Sequence, residues 1–411
     1  MAEYKELSTL YHMDDSPDRE SRARALFEGR RNHPSTFDLG FSISGGPLFL
    51  AVPRELSSMN QKVLRRERRV SSLMHSLPGI AGDEVLRSLV IDEVVSSNSI
   101  EDVHSTRRQI EEALQAFDGE DLKSKRFREF AKLYLNLVHG DYSVPESPED
   151  IRAIYDKVMD GECLEDVPDG EVFREGPVSL VGGTKEFHKG LLPESAIAQA
   201  IEAMIGLVKS PEIPELYSAL ASHFIFEHAH PFYDGNGRTG RYLLSMYLEA
   251  PLSKPTALSL SKAIAENKAQ YYKAFETVEN PLNHGEVTFF VMTMHELILK
   301  AQDQLIARLE KNAETLAMLG EKVASIADSD ACGEKELMIL SALLQQRAFG
   351  MDGSISLAKL SEHVGVGPQM TRKYLTKLEK RNVVTVTKKR SPLKFAITDH
   401  FLAEHGIELQ P

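Results

Sequence analysis

The stretch HPFYDGNGRTGR, from His230 to Arg241, interrupts sequence that is otherwise typical of helices. It follows ELYSALASHFIFEHA and leads into RYLLSMYLEA, and both flanks have the apolar content of helices. Pro231 disfavours the right-handed helical region for the residue before it, so the preceding helix must end at His230. Glycines then allow the backbone to bend before the next helix begins. The chain must therefore contain a tight corner between two helices, with a histidine at its start.

The side chains of this corner suit a magnesium-bound nucleotide with a general base, a proton acceptor, beside it. The imidazole of His230 can accept a proton at neutral pH, as a general base must. Asp234 offers the hard oxygen that Mg²⁺ prefers. Phe232 is expected to point inward and anchor the loop.

The second half of the corner suits phosphate. Gly235, Gly237 and Gly240 allow close backbone approach, and the first amides of the following helix favour an anion. Asn236 is placed for a helix N-cap or for an amide that donates to phosphate. Arg238 and Arg241 lie three residues apart, so they share a helical face and can hold two neighbouring phosphates through forked hydrogen bonds.

The stretch resembles the signature of the Fic family and matches it at every defined position: His, any residue, Phe, any residue, Asp or Glu, Gly, Asn, Gly, Arg, two free positions, Arg. The resemblance implies an all-α Fic core that transfers AMP from ATP to a Ser, Thr or Tyr hydroxyl of a target protein. It also implies His230 as the catalytic base and Asp234 as the Mg²⁺ ligand. The implied phosphate-binding residues are Gly235, Asn236, Gly237, Arg238 and Arg241.

Two further segments are similar to parts of this family. In FREGPVSLVGGTKEFH, Gly182-Gly183 separates two extended runs and predicts a two-residue hairpin. The hairpin resembles the family's flap, which aligns a target by strand addition; an ordinary surface hairpin is the alternative. Its target-aligning residues would be Val178, Ser179, Leu180 and Val181. Tyr271 and Tyr272 resemble residues that border the adenine, with plain core packing as the alternative.

The segment SSNSIED, residues 96–102, resembles the family's inhibitory signature. Ser97 and Glu101 lie four apart on one helical face, so both could reach the same site. The last position, Asp102, departs from the Gly or Asn of the signature. If Glu101 pairs with Arg241, ATP binds unproductively; the alternative is a solvated residue of an exposed helix. The same carboxylate could instead orient water for removal of AMP.

The C-terminal part of the chain is basic, although the whole chain has a net charge of -13. Residues 357–398 contain ten Lys or Arg and two Asp or Glu. The order of predicted elements from Glu334 resembles a winged helix-turn-helix, with Met370, Tyr374, Leu375 and Leu378 facing inward. DNA contact, protein contact or self-association, and structural packing all remain open. The candidate DNA contacts are Gln369, Thr371, Arg372, Lys373, Lys377, Lys388, Lys389 and Arg390.

The predicted fold class is mainly α, a Fic-type helical core with a small β-hairpin flap and a C-terminal winged helix domain. The predicted domains are an N-terminal region at 1–85, a Fic domain at 86–300 with an inhibitory helix near 88–102, a helical connector at 301–333, and the winged helix at 334–411. The first 60 residues are expected to be irregular, with a short strand or docking segment.

The sequence lacks a long apolar stretch and a signal-peptide core, so we expect a cytoplasmic protein that contacts no membrane. Cys163 and Cys332 are far apart and lack metal-ligand spacing, which predicts buried or idle thiols. The expected partners are ATP, a hydroxyl-bearing target protein, duplex DNA and a second copy of the chain. A DNA-binding regulator whose Fic domain removes AMP, or acts as another phosphotransferase, is the alternative function.

Overall fold

The computed structural model describes residues 4–77, 79–115, 127–182, 185–329, 332–388 and 392–409. The protein is mainly helical, and its strands form small antiparallel sheets, which confirms the predicted fold class. It divides into two compact units, Met1–Arg68 with Val90–Asp303 and Arg69–Leu89 with Gln304–Pro411. The sequence-based boundaries place residues 69–85 with the N-terminal region instead.

The first unit begins with two helices and a hairpin where the sequence suggests irregular structure. These elements are α1 (Leu7–Met13), α2 (Arg19–Arg31), β1 (Thr36–Ile43) and β2 (Gly46–Ala51), and the two strands pair antiparallel. The segment is fastened to a distant part of the chain. Arg30 forms an ion pair with Glu286 at 2.8 Å, and the backbone N–H of Ser8 donates to Asn283.

The helices that follow make up most of the first unit, and α3, α4 and α14 also contain residues of the second. They are α3 (Arg54–His75), α4 (Ile80–Ile100), α5 (Arg107–Gln115), α6 (Arg128–His139), α7 (Pro148–Val158), α8 (Glu194–Val208), α9 (Glu215–Ala229), α10 (Asn236–Leu248), α11 (Lys254–Ala257), α12 (Leu260–Glu266), α13 (Lys268–Glu279) and α14 (Thr288–Ser329). α9 packs against α8 and α10 and is buried on nearly all sides, as expected for a helix that is apolar all round. The corner that starts at His230 therefore lies at the end of a buried helix.

Strands β3 (Ser179–Gly182) and β4 (Lys185–Lys189) form the predicted hairpin. Gly182 pairs with Lys185, so the strands close one residue later than the sequence suggests. The connecting residues 183 and 184 lie outside the described residues, as do the side chains of Leu180 and Val181.

The C-terminal part of the second unit follows the predicted order of elements. It contains α15 (Glu334–Phe349), β5 (Ser354–Ser356), α16 (Leu357–Val364), α17 (Pro368–Lys380), β6 (Val384–Lys388), β7 (Lys394–Ile397) and α18 (Asp399–Glu404), and its sheet has the order β5-β7-β6. Leu343, Leu360, Leu375 and Phe395 belong to one apolar core. The identification of this part as a winged helix stays a prediction.

The inward face of α17 differs from the prediction. Thr371 is fully buried and its hydroxyl donates to the Gly367 carbonyl, whereas Met370 is 42% exposed. The helix begins at Pro368, and its inner face runs through Thr371, Leu375 and Leu378 at i, i+4 and i+7 spacing. Thr371 is therefore wrongly predicted as a DNA contact, and Met370 as a core residue.

The other candidate DNA contacts divide into three groups. Gln369, Arg372 and Lys373 are exposed on α17. Lys377 is occupied by a 2.6 Å ion pair with the buried Glu336. Lys388 is exposed at the end of β6, while Lys389 and Arg390 lie outside the described residues.

α14 runs unbroken from Thr288 to Ser329, so it begins in the predicted Fic domain and continues into the predicted connector at 301–333. Cys163 is exposed rather than buried, Cys332 is half-buried, and both are free thiols.

Within the described residues, we find no helix that combines the length and apolarity needed to cross a membrane.

Candidate functional site

His230 lies where the sequence places it, at the corner after α9. It caps the helix in the left-handed region, with φ 48° and ψ 62°, which is uncommon for a residue other than glycine. Its ring is largely buried, and Nδ1 lies 3.4 Å from the carbonyl oxygen of Glu227. A hydrogen bond to a carbonyl requires the proton on Nδ1, and this leaves Nε2 as the nitrogen that can accept a proton.

Arg174 fixes the backbone of this corner. This fully buried guanidinium donates from Nε to the His230 carbonyl at 2.8 Å and from Nη2 to the Ala229 carbonyl at 3.3 Å. It also donates to the carbonyls of Gly176 at 2.6 Å and Leu191 at 3.0 Å, on the two sides of the hairpin. Arg174 thus ties the histidine to both stems of the hairpin.

The hairpin stem approaches the histidine closely. Gly190 donates its backbone N–H to the Val178 carbonyl at 3.1 Å. A Cβ at Gly190 would lie 2.8 Å from Val178 Cγ1 and 3.0 Å from His230 Cβ. Only glycine therefore leaves room for this contact. Ser179, the next residue on the strand, is exposed.

Phe232 and Asn236 shape the loop from inside. Phe232 is fully buried and stacks on Tyr155 with ring centroids 3.7 Å apart, as the sequence suggests. Asn236 bridges the backbone of Phe232, because its Oδ1 accepts from the amide at 2.9 Å and its Nδ2 donates to the carbonyl at 2.7 Å. The N-cap of α10 is Gly235, with φ 75°, so the predicted N-cap role of Asn236 is wrong.

Asp234 is exposed at the outer edge of the corner, and its Oδ1 accepts from the Gly235 amide at 2.6 Å. No cluster of three potential metal ligands occurs among the residues that the structure describes. A single exposed carboxylate fits Mg²⁺, which usually binds through one or two carboxylates, substrate phosphates and water.

Arg241 is held by Ser97 and Glu101. Its Nη1 donates to Glu101 Oε1 at 2.8 Å, and its Nε donates to Ser97 Oγ at 3.0 Å. Nη2 donates to the Ser97 carbonyl at 2.9 Å. Burial alone lowers the pKa of Arg241, but Glu101, Tyr271 and Glu227 outweigh burial and raise it. The predicted contact between Glu101 and Arg241 is therefore present.

The structure gives a reason for the departure at Asp102. α4 ends at Ile100, so Glu101 lies in the following turn, and Asp102 adopts φ 55°. Left-handed backbone favours Gly or Asn, the two residues of the family signature, and tolerates Asp. The substitution therefore preserves the turn that aims Glu101 at Arg241.

Arg238 forms an ion pair with a carboxylate that the sequence does not indicate. Its Nη1 donates to Glu162 Oε1 at 2.9 Å, across 76 positions of sequence. Arg238 Nε is buried and has no hydrogen-bond partner within the described part of the chain. Both arginines of the corner are thus paired with carboxylates.

Glu227 is a second carboxylate that no motif indicates. A Cβ at Gly240 would collide with its Oε1, and that oxygen is buried without a hydrogen-bond partner among the described residues. Burial raises the pKa of Glu227 to about 8, with Arg241 lowering it and Glu101 raising it further. Burial thus favours the uncharged form of this carboxyl group, and Arg241 favours the charged form.

The two candidate adenine contacts have different surroundings. Tyr271 is buried, and its hydroxyl lies 2.7 Å from Nε2 of His223, whose pKa burial lowers to about 3. This position favours the core-packing alternative. Tyr272 is 43% exposed and stays a candidate contact with a nucleotide.

Residues 145–248, about a quarter of the chain, match the sequence model of the Fic/DOC family, so this segment is a Fic/DOC family domain. A Fic family protein from Desulfovibrio desulfuricans aligns with a TM-score of 0.48 and 17% identity over 82% of this chain and 96% of its own. A Fic domain containing signaling protein from Bacteroides thetaiotaomicron aligns at 0.46 and 14% identity over 62% and 97%. Fic-1 from C. elegans aligns at 0.44 and 18% identity over 61% and 72%.

Proposed function

We propose that this protein is an adenylyltransferase that transfers AMP from ATP to a Ser, Thr or Tyr hydroxyl of a target protein and of itself. Proteins with Fic domains typically transfer a nucleoside monophosphate to proteins. The supporting observation is that His230 and Asp234 lie just before the start of α10, whose first turns carry two buried arginines. A base, an exposed carboxylate and a phosphate-binding helix end thus occur within twelve residues.

The reaction is a substitution at the α-phosphorus. Nε2 of His230 takes the proton of the target hydroxyl as its oxygen forms a bond to that phosphorus. The bond from the α-phosphorus to the oxygen that bridges it to the β-phosphorus breaks, and pyrophosphate leaves with the electron pair. Mg²⁺ held by Asp234 would neutralise phosphate charge. The corner contributes chiefly by holding the reacting groups in line.

The chain's own residues hold the triphosphate. The Gly237 amide at the start of α10 suits a phosphate oxygen, and Arg238 suits the β-phosphate. The Gly235 amide donates to Asp234 Oδ1 in this structure and would suit a second phosphate oxygen only once Asp234 turns towards Mg²⁺. Arg241 would meet the γ-phosphate. Because Glu101 and Ser97 already occupy all three nitrogens of Arg241, we propose that the enzyme restrains itself until Glu101 is withdrawn.

The test is to incubate purified Glu101→Gly protein with ATP labelled on either the α- or the γ-phosphate. We expect the Glu101→Gly protein to retain the α-label. The double variant Glu101→Gly/His230→Ala should not retain it. Asp102→Gly is the matched control, because it restores the signature residue yet keeps Glu101, and it should stay as inactive as wild type. Retention of the γ-label instead would indicate a kinase. Release of AMP from modified protein by wild type would support the alternative, removal of AMP.

For the second unit we propose contact with duplex DNA. The observation in its favour is that Gln369, Arg372 and Lys373 are exposed together near the start of α17. Phosphate contacts make binding strongly salt-dependent. Affinity for mixed-sequence duplex should therefore fall steeply between about 50 and 200 mM salt, and Arg372→Ala should weaken it. Absence of binding at the lower salt would leave protein contact or self-association as the role of this surface.

A further inference from the structure

Both arginines of the corner are covered from the solvent side by a carboxylate. In the pair of Arg241 with Glu101, the side chains are 2% and 31% exposed. In the pair of Arg238 with Glu162, they are 2% and 13% exposed. In each pair the carboxylate is the more exposed partner, so it lies on the side from which a phosphate would arrive.

We propose that Glu162 is a second restraint, which competes with a nucleotide's phosphate for Arg238 independently of Glu101. This inference rests on the proposed nucleotide-binding function of the corner. The full site would open only when two carboxylates, from two distant parts of the chain, have both been displaced from their arginines.

Local structure places Glu162 for this role. The turn after α7 is closed by a hydrogen bond from the Glu162 amide to the Met159 carbonyl at 3.0 Å. Met159 packs so tightly on the corner that a Cβ at Gly235 would collide with its Sδ. Three residues later, Glu162 reaches Arg238. The turn thus follows the corner from Gly235 to the first arginine.

Charge explains why this contact would oppose phosphate binding. A phosphate that approaches a lone guanidinium gains a charge-assisted, forked hydrogen bond. Here it meets a guanidinium that Glu162 has already neutralised, and two anions must then share one cation. The buried Nε of Arg238 has no partner within the described chain, so a donor remains for phosphate once the carboxylate's charge is removed.

The two restraints should act on different nucleotides. Under the proposed function, Arg238 serves a phosphate that ADP also has, whereas Arg241 serves the γ-phosphate, which only ATP has. Relief of the Glu162 contact should therefore strengthen binding of ADP and of an ATP analogue alike. Relief of the Glu101 contact should favour the analogue.

The test is a double-mutant cycle on nucleotide binding, with ADP and a non-hydrolysable ATP analogue titrated into the full chain by calorimetry. Glu162→Gln keeps the shape and an acceptor but removes the charge, and it should tighten both ligands about tenfold, on the scale of typical coupling between sites. Glu101→Gln should tighten chiefly the analogue, and the two effects should multiply in the double variant. Glu165→Gln, an exposed acid of the same segment, is the matched control and should bind like wild type.

Three results would overturn the inference: unchanged or weaker ADP binding by Glu162→Gln, an equal gain from Glu165→Gln, or loss of the Glu162 effect once Glu101 is replaced. Thermal unfolding of each variant checks that it is folded.

Because this test measures nucleotide binding, its result is independent of whether AMP is transferred. Tighter binding without retention of α-label would remove the proposed reaction but leave the second restraint. Transfer by Glu101→Gly, together with unchanged nucleotide binding by Glu162→Gln, would support the proposed reaction and remove the second restraint.

Discussion

Glu101 Oε1 lies 2.8 Å from Nη1 of Arg241, across 140 positions of sequence, and a Cβ at Gly237 would collide with the same carboxylate. Gly237, in the loop that we propose to bind phosphate, therefore also makes room for the carboxylate that we propose as its restraint. A bound nucleotide would occupy the space that the Glu101 carboxylate occupies near α10. Nucleotide binding should therefore require Glu101 to move.

Ser97→Ala should give partial activation. The variant loses the hydrogen bond from Arg241 Nε to Ser97 Oγ, but the Ser97 carbonyl and Glu101 still hold the other two nitrogens. One hydrogen bond involving a charged group contributes roughly 1.5–3 kcal/mol. Incorporation of α-labelled ATP should thus rise above wild type and stay below Glu101→Gly. A rate equal to that of Glu101→Gly would mean that the serine, not the carboxylate, is the principal restraint.

Arg174→Met should slow transfer without weakening nucleotide binding. Arg174 donates to the carbonyls of His230 and Ala229 and to both stems of the hairpin, and none of these four hydrogen bonds involves Arg238 or Arg241. In the Glu101→Gly background, we expect kcat to fall at least about tenfold, because small misplacement of a reacting group is costly. The Kd for the ATP analogue should stay within about twofold.

Arg174→Lys serves as the conservative comparison for that prediction. Its single ammonium keeps the charge but cannot span four carbonyls, so it should recover part of kcat. If both variants lose nucleotide affinity and kcat in parallel, Arg174 supports the whole fold and does not specifically position His230.

Sequence could predict those parts of the site that depend on local chemistry. Pro231 indicates that α9 ends at His230, and the spacing of the arginines follows from the signature. Ser97 and Glu101 could be identified for the same reason. By contrast, Glu162 and Glu227 meet the corner only through tertiary packing, and no motif around either residue marks it as part of the site.

Two errors have simple physical causes. The sequence does not predict the hairpin of β1 and β2 although SGGPLFL contains a Gly-Gly turn followed by an apolar strand, because the polar residues around it obscure the alternation. On α17, the predicted stripe begins one residue too early, at Met370 instead of Thr371. A buried threonine gives no apolar signal, and its hydroxyl is satisfied by the carbonyl of Gly367, the N-cap of the same helix.

Glu227→Gln should remove part of the pH dependence of stability. The pKa of Glu227 is raised from 4.5 to about 8 in the folded protein, chiefly by burial. Between these two values the folded state binds the extra proton, so the stabilisation present below pH 4.5 is lost as pH rises through 8. A tenfold difference in proton affinity between the folded and unfolded states corresponds to about 1.4 kcal/mol of stability. Wild type should therefore lose at least about 1.4 kcal/mol more than Glu227→Gln between about pH 5 and 8.

Denaturant unfolding of both proteins at several pH values measures that difference. Glu93, whose pKa burial raises to about 7, titrates in both proteins and cancels from the comparison. Parallel pH profiles for the two proteins would show that Glu227 is ionised in the folded state and pairs with Arg241 instead.

Thr371→Lys and Met370→Lys should separate the two faces of α17. Thr371 is fully buried beneath the helix, and an ammonium placed there would lack water and a partner, at a cost of several kcal/mol. Met370 is 42% exposed, so the same change should alter stability by less than about 0.5 kcal/mol. Thermal unfolding should show a marked loss of stability for Thr371→Lys only. Met370→Lys adds a positive charge beside Arg372 and Lys373, so it should strengthen binding to duplex DNA at low salt. Equal stability of the two variants would place the inner face of the helix one residue earlier, along Met370 and Tyr374.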